Sequence, residues 1–337
     1  MLSLALHDDG APKTACAILP PETAVVREPR RSPNPLILRN GPLQCGILPD
    51  IGGSIEHLTY HDGNTAPQSL LRPPDGDTNA TRPATALGCF PLVPFSNRIA
   101  QGRFVFEGRS ITLPPTPSVF PHAMHGHGWV SPWQVLEACD QEVHLEYRHH
   151  ADAWPFDYVT RQRFTLLPDR LRIEITLTNT GSQRMPGGLG IHPYFPKPPG
   201  TRLTARLGGL WMSDASKLPT TLAALPPEWD FHRGRPLDRL VMDNSFTGWD
   251  GIAQIDWPHR MSLRITANST LSFLMIYTPQ DGDYFCLEPV SHMIDAVNHS
   301  DIANGIKVLA TNESIVGVVN LQVLPGPSGA DAALAAG

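Results

Sequence analysis

Three histidines are crowded into the segment FPHAMHGHGWVSPW (120–133): His122, His125 and His127, among glycines and tryptophans. Imidazole titrates at about pH 6.5 and also binds metals, so the cluster suits proton transfer or metal ligation. On a strand, His125 and His127 would point to the same face, a spacing that zinc sites use. No HExxH-like spacing identifies further ligands, so we predict no metal and no cofactor. His122 is expected to be a loop or hydrogen-bonding residue.

Three other segments place polar residues beside apolar runs. Asn97 and Arg98 follow a proline-bounded run, His192 lies in GLGIHPYFP, and Glu288 follows Phe-Cys-Leu and precedes a proline. A carboxylate in such surroundings is either a satisfied structural group or a base with a raised pKa. Together these residues supply the parts of a proton-transfer site: a carboxylate, imidazoles, an arginine anchor and aromatic walls.

Short alternating segments predict an all-β fold. RLRIEITLTNTG (170–181) alternates apolar and polar residues, which is typical of a half-buried strand, and 260–268 and 314–324 are predicted strands as well. GRFVFEGRSITL (102–113) is a predicted hairpin. The chain's 35 prolines and 28 glycines break it into short pieces, and no window has a convincing helical period.

The composition favours one domain without a polyanionic or membrane partner. Residues 36–325 form the predicted domain, between a proline-rich leader (1–35) and a small-residue tail (326–337) that is expected to be disordered. The formal net charge of −6 gives no reason to expect nucleic acid, and no apolar run is long enough to span a bilayer. Five scattered cysteines without a CxxC pair suggest reduced thiols and a cytoplasmic protein, either a monomer or a homodimer.

Five motifs in order carry a resemblance: NRIAQGRF, HGHGWVSPW, GLGIHPYF, MDNSFTGWDG and FCLEPVSHMIDAVN. With the opening segment 36–63, they resemble the aldose 1-epimerase (mutarotase) family over about residues 36–323. The resemblance implies a large antiparallel β-sandwich of the galactose mutarotase-like supersandwich type. It also implies an isomerase that interconverts the α and β anomers of a free aldose, a small-molecule sugar.

The resemblance also implies the catalytic residues. Glu288 matches the catalytic glutamate, His192 the histidine of the His-x-Tyr-Phe motif, and His125 the first active-site histidine. Opening the sugar ring needs a proton removed from the C1 hydroxyl and one delivered to the ring oxygen. Glu288 is the expected base, ionised at neutral pH unless strongly buried, and His192 the expected acid, kept protonated by a nearby carboxylate.

The substrate-binding residues follow in the same way. Arg98, with Asn97, is similar to the arginine that holds sugar hydroxyls, and Asp243 matches the sugar-binding aspartate. Better-known galactose mutarotases read His-Gly-Gly, whereas this chain reads His-Gly-His-Gly, so His127 is a further candidate for the site. Trp129 and Trp133 are expected to pack in the core, with stacking on the sugar as the alternative.

Three rival functions remain open from the sequence. A hexose-6-phosphate 1-epimerase would need extra cationic side chains for the phosphate, and Arg72, Arg82 or Arg103 could supply them. A non-catalytic sugar-binding protein could use the same fold. A two-carboxylate hydrolase is disfavoured because the resemblance supplies only one catalytic carboxylate. The preferred sugar, whether galactose, glucose or a pentose, is not fixed by these motifs.

Overall fold

The structure is a computed structural model. It describes residues 17–18, 34–63, 66–74, 83–258, 261–299 and 304–325. Almost all of the predicted leader, and the whole of the predicted tail, lie outside these residues.

Strands dominate the described chain. The first fourteen are β1 (Ala17–Ile18), β2 (Leu36–Asn40), β3 (Leu43–Leu48), β4 (Ser54–Tyr60), β5 (Gln68–Ser69), β6 (Cys89–Leu92), β7 (Arg98–Ile99), β8 (Arg103–Phe106), β9 (Arg109–Thr112), β10 (Ala123–Met124), β11 (Gln134–Cys139), β12 (Glu142–His149), β13 (Tyr158–Leu167) and β14 (Arg170–Asn179). The others are β15 (Met185–Gly187), β16 (Gly190–Pro196), β17 (Arg202–Ala205), β18 (Gly209–Ser213), β19 (Pro219–Ala223), β20 (Arg235–Pro236), β21 (Met242–Thr247), β22 (Ile252–Asp256), β23 (Met261–Ala267), β24 (Phe273–Thr278), β25 (Tyr284–Val290), β26 (Lys307–Leu309) and β27 (Ser314–Pro325).

Two large antiparallel sheets contain most of these strands. The ten-stranded sheet has the order β1-β11-β12-β13-β14-β27-β23-β22-β17-β20. The eleven-stranded sheet has the order β19-β18-β21-β24-β25-β16-β6-β4-β3-β2, with β5 paired to β4. Buried side chains of both sheets form one continuous hydrophobic core. The predicted all-β, large antiparallel sandwich is therefore confirmed.

The strands predicted from alternation are present. In β14 every second residue is buried, from Leu171 to Leu177, while the residues between them are partly exposed. The predicted hairpin is β8 and β9, joined by Glu107 and Gly108, which both have positive φ angles of 47° and 78°. Two left-handed residues in a two-residue loop match the twist of the flanking strands.

Alternation also gives the eleven-stranded sheet two buried faces. In β25, Phe285 and Leu287 point into the core between the sheets, whereas Cys286 belongs to a second cluster on the other face. That second cluster, the outer aromatic cluster, contains Phe90, Tyr194, Trp211 and Phe273 among others. Polar side chains on this face are thus buried among aromatic rings, away from the main core.

Helical structure is limited to 3-10 turns in the described residues. These turns span Ala84–Ala86, Ala100–Gly102, Pro117–Val119, Pro227–Trp229 and Ala296–Asn298. None of the helices in the described ranges is long and apolar enough to cross a membrane.

Candidate active site

Glu288 and His192 form a buried pair on neighbouring strands. The register of β16 and β25, in which Gly190 faces Val290 and Tyr194 faces Cys286, brings His192 opposite Glu288. The Nε2 atom of His192 lies 3.3 Å from Oε1 of Glu288. The two residues are only 8% and 3% exposed. A proton can therefore pass directly between an imidazole and a carboxylate at this point.

Aromatic rings fix the orientation of the His192 imidazole. Phe90 stacks on one side with a centroid distance of 4.5 Å, and Tyr194 stacks at 4.6 Å. The Nδ1 atom of His192 is buried and has no hydrogen-bond partner among the described residues. Since Nδ1 is closed off in this way, exchange of a proton is left to Nε2, the atom that faces Glu288.

The environment shifts the pKa values of the pair in opposite directions. Burial raises the pKa of Glu288 well above its usual range; Asp243 raises it further and Arg98 opposes the rise. Burial lowers the pKa of His192 to about 3, and Arg72 adds to the lowering. Burial therefore disfavours the charged form of both groups, and so opposes the ionised glutamate and the protonated histidine that the sequence leads us to expect.

His125 is oriented to donate a hydrogen bond. Its Nδ1 atom accepts a hydrogen bond from the backbone N–H of Asn97 at 3.0 Å, so the ring proton of the neutral imidazole is on Nε2. Burial lowers the pKa of His125 well below its usual range, with contributions from His192 and Arg98, so the ring is neutral. Its centroid lies 5.5 Å from that of His192. His125 is therefore a fixed N–H donor beside the Glu288–His192 pair.

The loop around His125 depends on a left-handed backbone. His125 and Gly126 have φ angles of 62° and 65°. A Cβ atom on Gly126 would lie 2.3 Å from the carbonyl oxygen of Val93, so only glycine fits there. The N–H groups of His127 and Gly128 both donate to that same carbonyl, at 3.0 and 3.1 Å.

Arg98 is the first residue of β7 and acts electrostatically on both His125 and Glu288. Its Nη1 donates to Oδ1 of Asn97 at 3.1 Å, and the same oxygen accepts the Arg98 backbone N–H at 2.9 Å. Asn97 is buried and has a φ of 57°. Arg98 affects the pKa values of both His125 and Glu288. Asn97 thus acts as a brace for the arginine.

Two residues that the sequence did not single out hold this segment in place. The Nε2 atom of His292 accepts the N–H of Ser96 at 3.0 Å, and Oδ1 of Asp295 accepts that of Ala100 at 2.9 Å. The N–H of Asp295 in turn donates to the carbonyl of Arg98 at 3.0 Å. Both residues lie in the SHMID part of the Glu288 motif, which was the only available signal. His122 holds the same segment in a similar way, because its Nδ1 accepts a hydrogen bond from the backbone N–H of Gln101.

Asp243 lies on the same sheet and also faces Glu288. It is on β21, opposite Tyr277 of β24, and it raises the pKa of Glu288. Lys217, a residue not predicted from the sequence, places Nζ 3.9 Å from Oδ2 of Asp243. The lysine side chain is 47% exposed, so this pair adds little stability. The Asp243 side chain is 21% exposed, so it is less buried than that of Glu288.

His127 is not brought together with the other predicted residues. Its Nδ1 lies 3.0 Å from the Tyr158 hydroxyl, and its ring stacks on His149 of the ten-stranded sheet at 4.3 Å. His125 and His127 do not lie on a strand, and the left-handed residues His125 and Gly126 turn the chain between the two imidazoles. His127 therefore contacts the ten-stranded sheet rather than the Glu288–His192 pair.

The two tryptophans, and the arginines that could bind a phosphate, lie in different parts of the molecule. Trp133 is buried in the core as expected, while Trp129 packs on Phe90 at 5.5 Å and walls the site. Arg72 stacks over Tyr194 at 4.0 Å, is buried, and donates to the carbonyls of Thr85 and Leu87. Both hydrogen bonds come from Nη2, whereas Nε has no hydrogen-bond partner among the described residues. Arg82 lies outside the described residues.

Comparison with known proteins places this geometry in a family. The sequence model of the aldose 1-epimerase family matches residues 38–322. The uncharacterized protein YphB of Escherichia coli K12 is 35% identical over 295 residues, covering 85% of this chain and 97% of its own.

Two solved structures are similar to this chain over most of its length. The crystal structure of protein b2544 from Escherichia coli K12 has a TM-score of 0.78 at 32% identity, covering 87% of this chain and 99% of its own. A galactose mutarotase-like protein from Clostridium acetobutylicum shares the fold, with a TM-score of 0.75 at 21% identity over 86% of this chain and 95% of its own. The chain belongs to the aldose 1-epimerase family.

Proposed function

We propose that the protein is a mutarotase that interconverts the α and β anomers of a free aldose. The observation that carries the proposal is the buried Glu288–His192 pair, with 3.3 Å between carboxylate oxygen and imidazole nitrogen. Ring opening and reclosure need one group that accepts a proton and one that donates a proton. The carboxylate and the imidazole of this pair can supply one group of each kind. The family match supports the reaction class.

The surrounding residues supply binding groups for a polyol. The Nε2–H of His125 donates to a sugar oxygen, the guanidinium of Arg98 donates to hydroxyls, and Asp243 accepts from them. Charge-assisted hydrogen bonds of this kind are stronger than neutral ones. The aromatic walls, with Trp129 and Phe90 in contact, offer apolar faces to the sugar C–H groups.

The proton must move within the pair before the ring opens. Sugar hydroxyls that donate to the Glu288 carboxylate stabilise its ionised form, and the proton passes across 3.3 Å to Nε2 of His192. Glu288 then accepts the C1 hydroxyl proton while His192 delivers its proton to the ring oxygen, which breaks the C1–O5 bond. After rotation about C1–C2, the reverse transfers close the ring on the other face. The reaction is redox-neutral, so the mechanism requires no redox cofactor.

Polarimetry of freshly dissolved anomers tests the proposal. Galactose, glucose, arabinose and xylose are compared with hexose 6-phosphates, with Glu288→Gln as the inactive reference. We expect the wild type to accelerate mutarotation of at least one free aldose. Acceleration confined to phosphorylated sugars would instead assign the hexose-6-phosphate reaction. Sugar binding without acceleration on any substrate would overturn the enzyme and leave a sugar-binding protein.

A further inference from the structure

We propose that Arg72 is a positioning residue for the His192 imidazole. Without binding the sugar itself, it holds the ring in the orientation that faces Glu288, and its positive charge keeps the ring neutral. The proposal rests on the proposed function, which gives His192 its part in proton exchange. Arg72 follows β5 in the chain, lies outside the five motifs of the sequence and is only 8% exposed.

Three separate contacts join Arg72 to Tyr194, the neighbour of the imidazole. The backbone N–H of Arg72 donates to the carbonyl of Tyr194 at 2.8 Å. The guanidinium carbon lies 4.0 Å from the centroid of the Tyr194 ring. Nη2 donates to the carbonyls of Thr85 and Leu87, next to Gly88, whose own carbonyl accepts the Tyr194 N–H at 2.9 Å. Arg72 thus holds both the backbone and the ring of Tyr194.

The guanidinium lies in the angle between two tyrosine rings. Its carbon atom is also 4.6 Å from the centroid of the Tyr284 ring. The centroids of Tyr194 and Tyr284 are 5.4 Å apart, and the two ring planes meet at 59°. A cation over an aromatic face is attracted by the electrons of the ring, and more strongly when water is excluded. Neither ring can turn without losing its contact with Arg72.

The His192 imidazole depends on this packing for its orientation. The Tyr194 ring lies 4.6 Å from it, at an angle of 22° between the planes. Active-site histidines are commonly oriented by a hydrogen bond to the second ring nitrogen. In His192 that nitrogen, Nδ1, has no hydrogen-bond partner among the described residues. Contact with neighbouring rings therefore keeps Nε2 directed at Glu288, and Arg72 acts on the imidazole through Tyr194.

The charge of Arg72 acts on the same imidazole. A nearby positive charge disfavours an imidazolium, and Arg72 adds to the effect of burial in lowering the pKa of His192. The other titratable groups that face His192 are Glu288 at Nε2, His125 at a centroid distance of 5.5 Å and Cys89, which contacts its backbone. Among these groups, only Arg72 is charged at every working pH, because guanidinium does not lose its proton.

Two substitutions separate orientation from charge. Arg72→Met removes the charge, whereas Arg72→Lys keeps it but loses the planar fork that contacts two rings and two carbonyls. We expect kcat for mutarotation to fall about 10-fold in both variants with unchanged KM, since the ring is displaced and no sugar contact is lost. Only in Arg72→Met should the acid limb of kcat/KM move to higher pH, because His192 then takes up a proton more readily. The alkaline limb should move less, since Asp243 and Arg98 are the charges that act on Glu288.

Nitrogen NMR of the His192 ring, identified with His192→Asn, provides a measurement that needs no turnover. The wild-type ring has a pKa of about 3, and Arg72→Met should raise that pKa while Arg72→Lys leaves it near the wild-type value. Arg202→Met is the matched control, because the Nη2 of Arg202 also donates to a backbone carbonyl but lies on the ten-stranded sheet. It should change neither the titration nor the rate.

An unchanged His192 titration and an unchanged acid limb in folded Arg72→Met would overturn the proposal. A higher KM with an unaltered pH profile would also overturn it, because Arg72 would then bind the sugar directly. If the wild type accelerates no mutarotation, the proposed function fails, and the NMR titration alone decides the part of Arg72. If Arg72→Met does not fold, Arg72→Gln replaces it, because the neutral amide still donates to the carbonyls of the turn.

Discussion

The loop HGHG presents two histidines to two different chemical environments. On the side of the eleven-stranded sheet, His125 meets His192 and the outer aromatic cluster, close to a buried carboxylate. On the side of the ten-stranded sheet, His127 meets a second imidazole and a tyrosine hydroxyl. The residue type is the same on both sides. The left-handed backbone at His125 and Gly126 separates their roles.

The two sides differ in where the carboxylate lies. Glu288 is buried, and burial raises its pKa well above the usual range. Asp152, whose Oδ1 lies 3.4 Å from Nε2 of His149, has a side chain that is 62% exposed. A buried acid beside an imidazole suits proton exchange, whereas an exposed acid beside an imidazole stays in contact with solvent. Burial rather than composition therefore distinguishes the two clusters.

The largest effect is expected from removing the proton acceptor on the catalytic side. Glu288→Gln keeps the shape but cannot take the C1 hydroxyl proton, so kcat for mutarotation should fall about 10²- to 10⁴-fold while sugar binding persists. His192→Asn should behave in the same way. Polarimetry gives the rates and calorimetry the binding, with His150→Asn as a variant of unchanged rate. Near-normal kcat in Glu288→Gln on every substrate of the wild type would refute the assignment.

Removal of the arginine anchor should affect binding more than turnover. Arg98→Ala loses charge-assisted hydrogen bonds to sugar hydroxyls, which are worth about 1.5–3 kcal/mol, so KM should rise about 10- to 100-fold. Asn97→Ala, which removes only the brace at 3.1 Å, should give a smaller rise. Steady-state kinetics separate the two parameters. A large loss of kcat with unchanged KM in Arg98→Ala would move Arg98 from binding to catalysis.

A change at the glycine between the two histidines should disturb both sides at once. In Gly126→Ala the new Cβ would meet the Val93 carbonyl at 2.3 Å, at a φ of 65°. We expect a loss of about 3 kcal/mol or more in the free energy of unfolding, together with a lower kcat for mutarotation. Gly108→Ala is the matched control, with φ 78° and nothing within 4 Å, and should cost about 1–2 kcal/mol. Urea unfolding compares them, and equal losses would show that the contact with Val93 is unimportant.

The smallest effect is expected in the pH dependence of the free energy of unfolding. The folded protein holds the Glu288 proton above pH 4.5, where the unfolded chain releases it, so Glu288 lowers the free energy of unfolding as pH rises toward its folded pKa. The lowered pKa of His192 acts oppositely between about 3 and 6.5, because there the unfolded chain binds the extra proton. Asp243 and Arg98 face the same carboxyl.

Glu288→Gln isolates that contribution. Between pH 5 and 8 its melting temperature should rise relative to that of the wild type, since the amide has no proton to lose. Scanning calorimetry at matched ionic strength measures the difference. Glu142→Gln, at a partly buried carboxylate of β12 whose pKa is lowered, should show no such rise. A difference that is constant with pH would mean that Glu288 is ionised in the folded protein.

Alternation was sufficient to predict the fold, and motif order identified most of the residues that the structure brings close together. The period of two in 170–181 predicted a strand because one face of β14 is buried against the core. The Asn97, His192 and Glu288 motifs marked residues that the sheet brings together. The place of His127 could not be predicted, because a φ of 62° at a non-glycine residue leaves no pattern in the letters.

The pKa shifts and the backbone contacts were also beyond the sequence. The opposite pKa shifts of Glu288 and His192 result from burial in the assembled sheet, where rings contributed by β6 and β16 stack on His192. His292 and Asp295 act by accepting backbone N–H groups of residues 96 and 100, and nothing in their types distinguishes such a role. Sequence patterns predict which residues are buried, but not which groups each buried side chain contacts.

The strand order of the eleven-stranded sheet also bears on how the chain becomes active. β16 is hydrogen-bonded to β6 on one edge and to β25 on the other, and the hydrogen bond between Ser96 and His292 joins residues 196 positions apart. Closing such long chain segments is entropically expensive, and folds rich in distant contacts fold slowly. No contiguous stretch of the polypeptide holds the imidazole, the carboxylate and the guanidinium together. During refolding, recovered turnover should consequently be a late event that reports completion of the central strands.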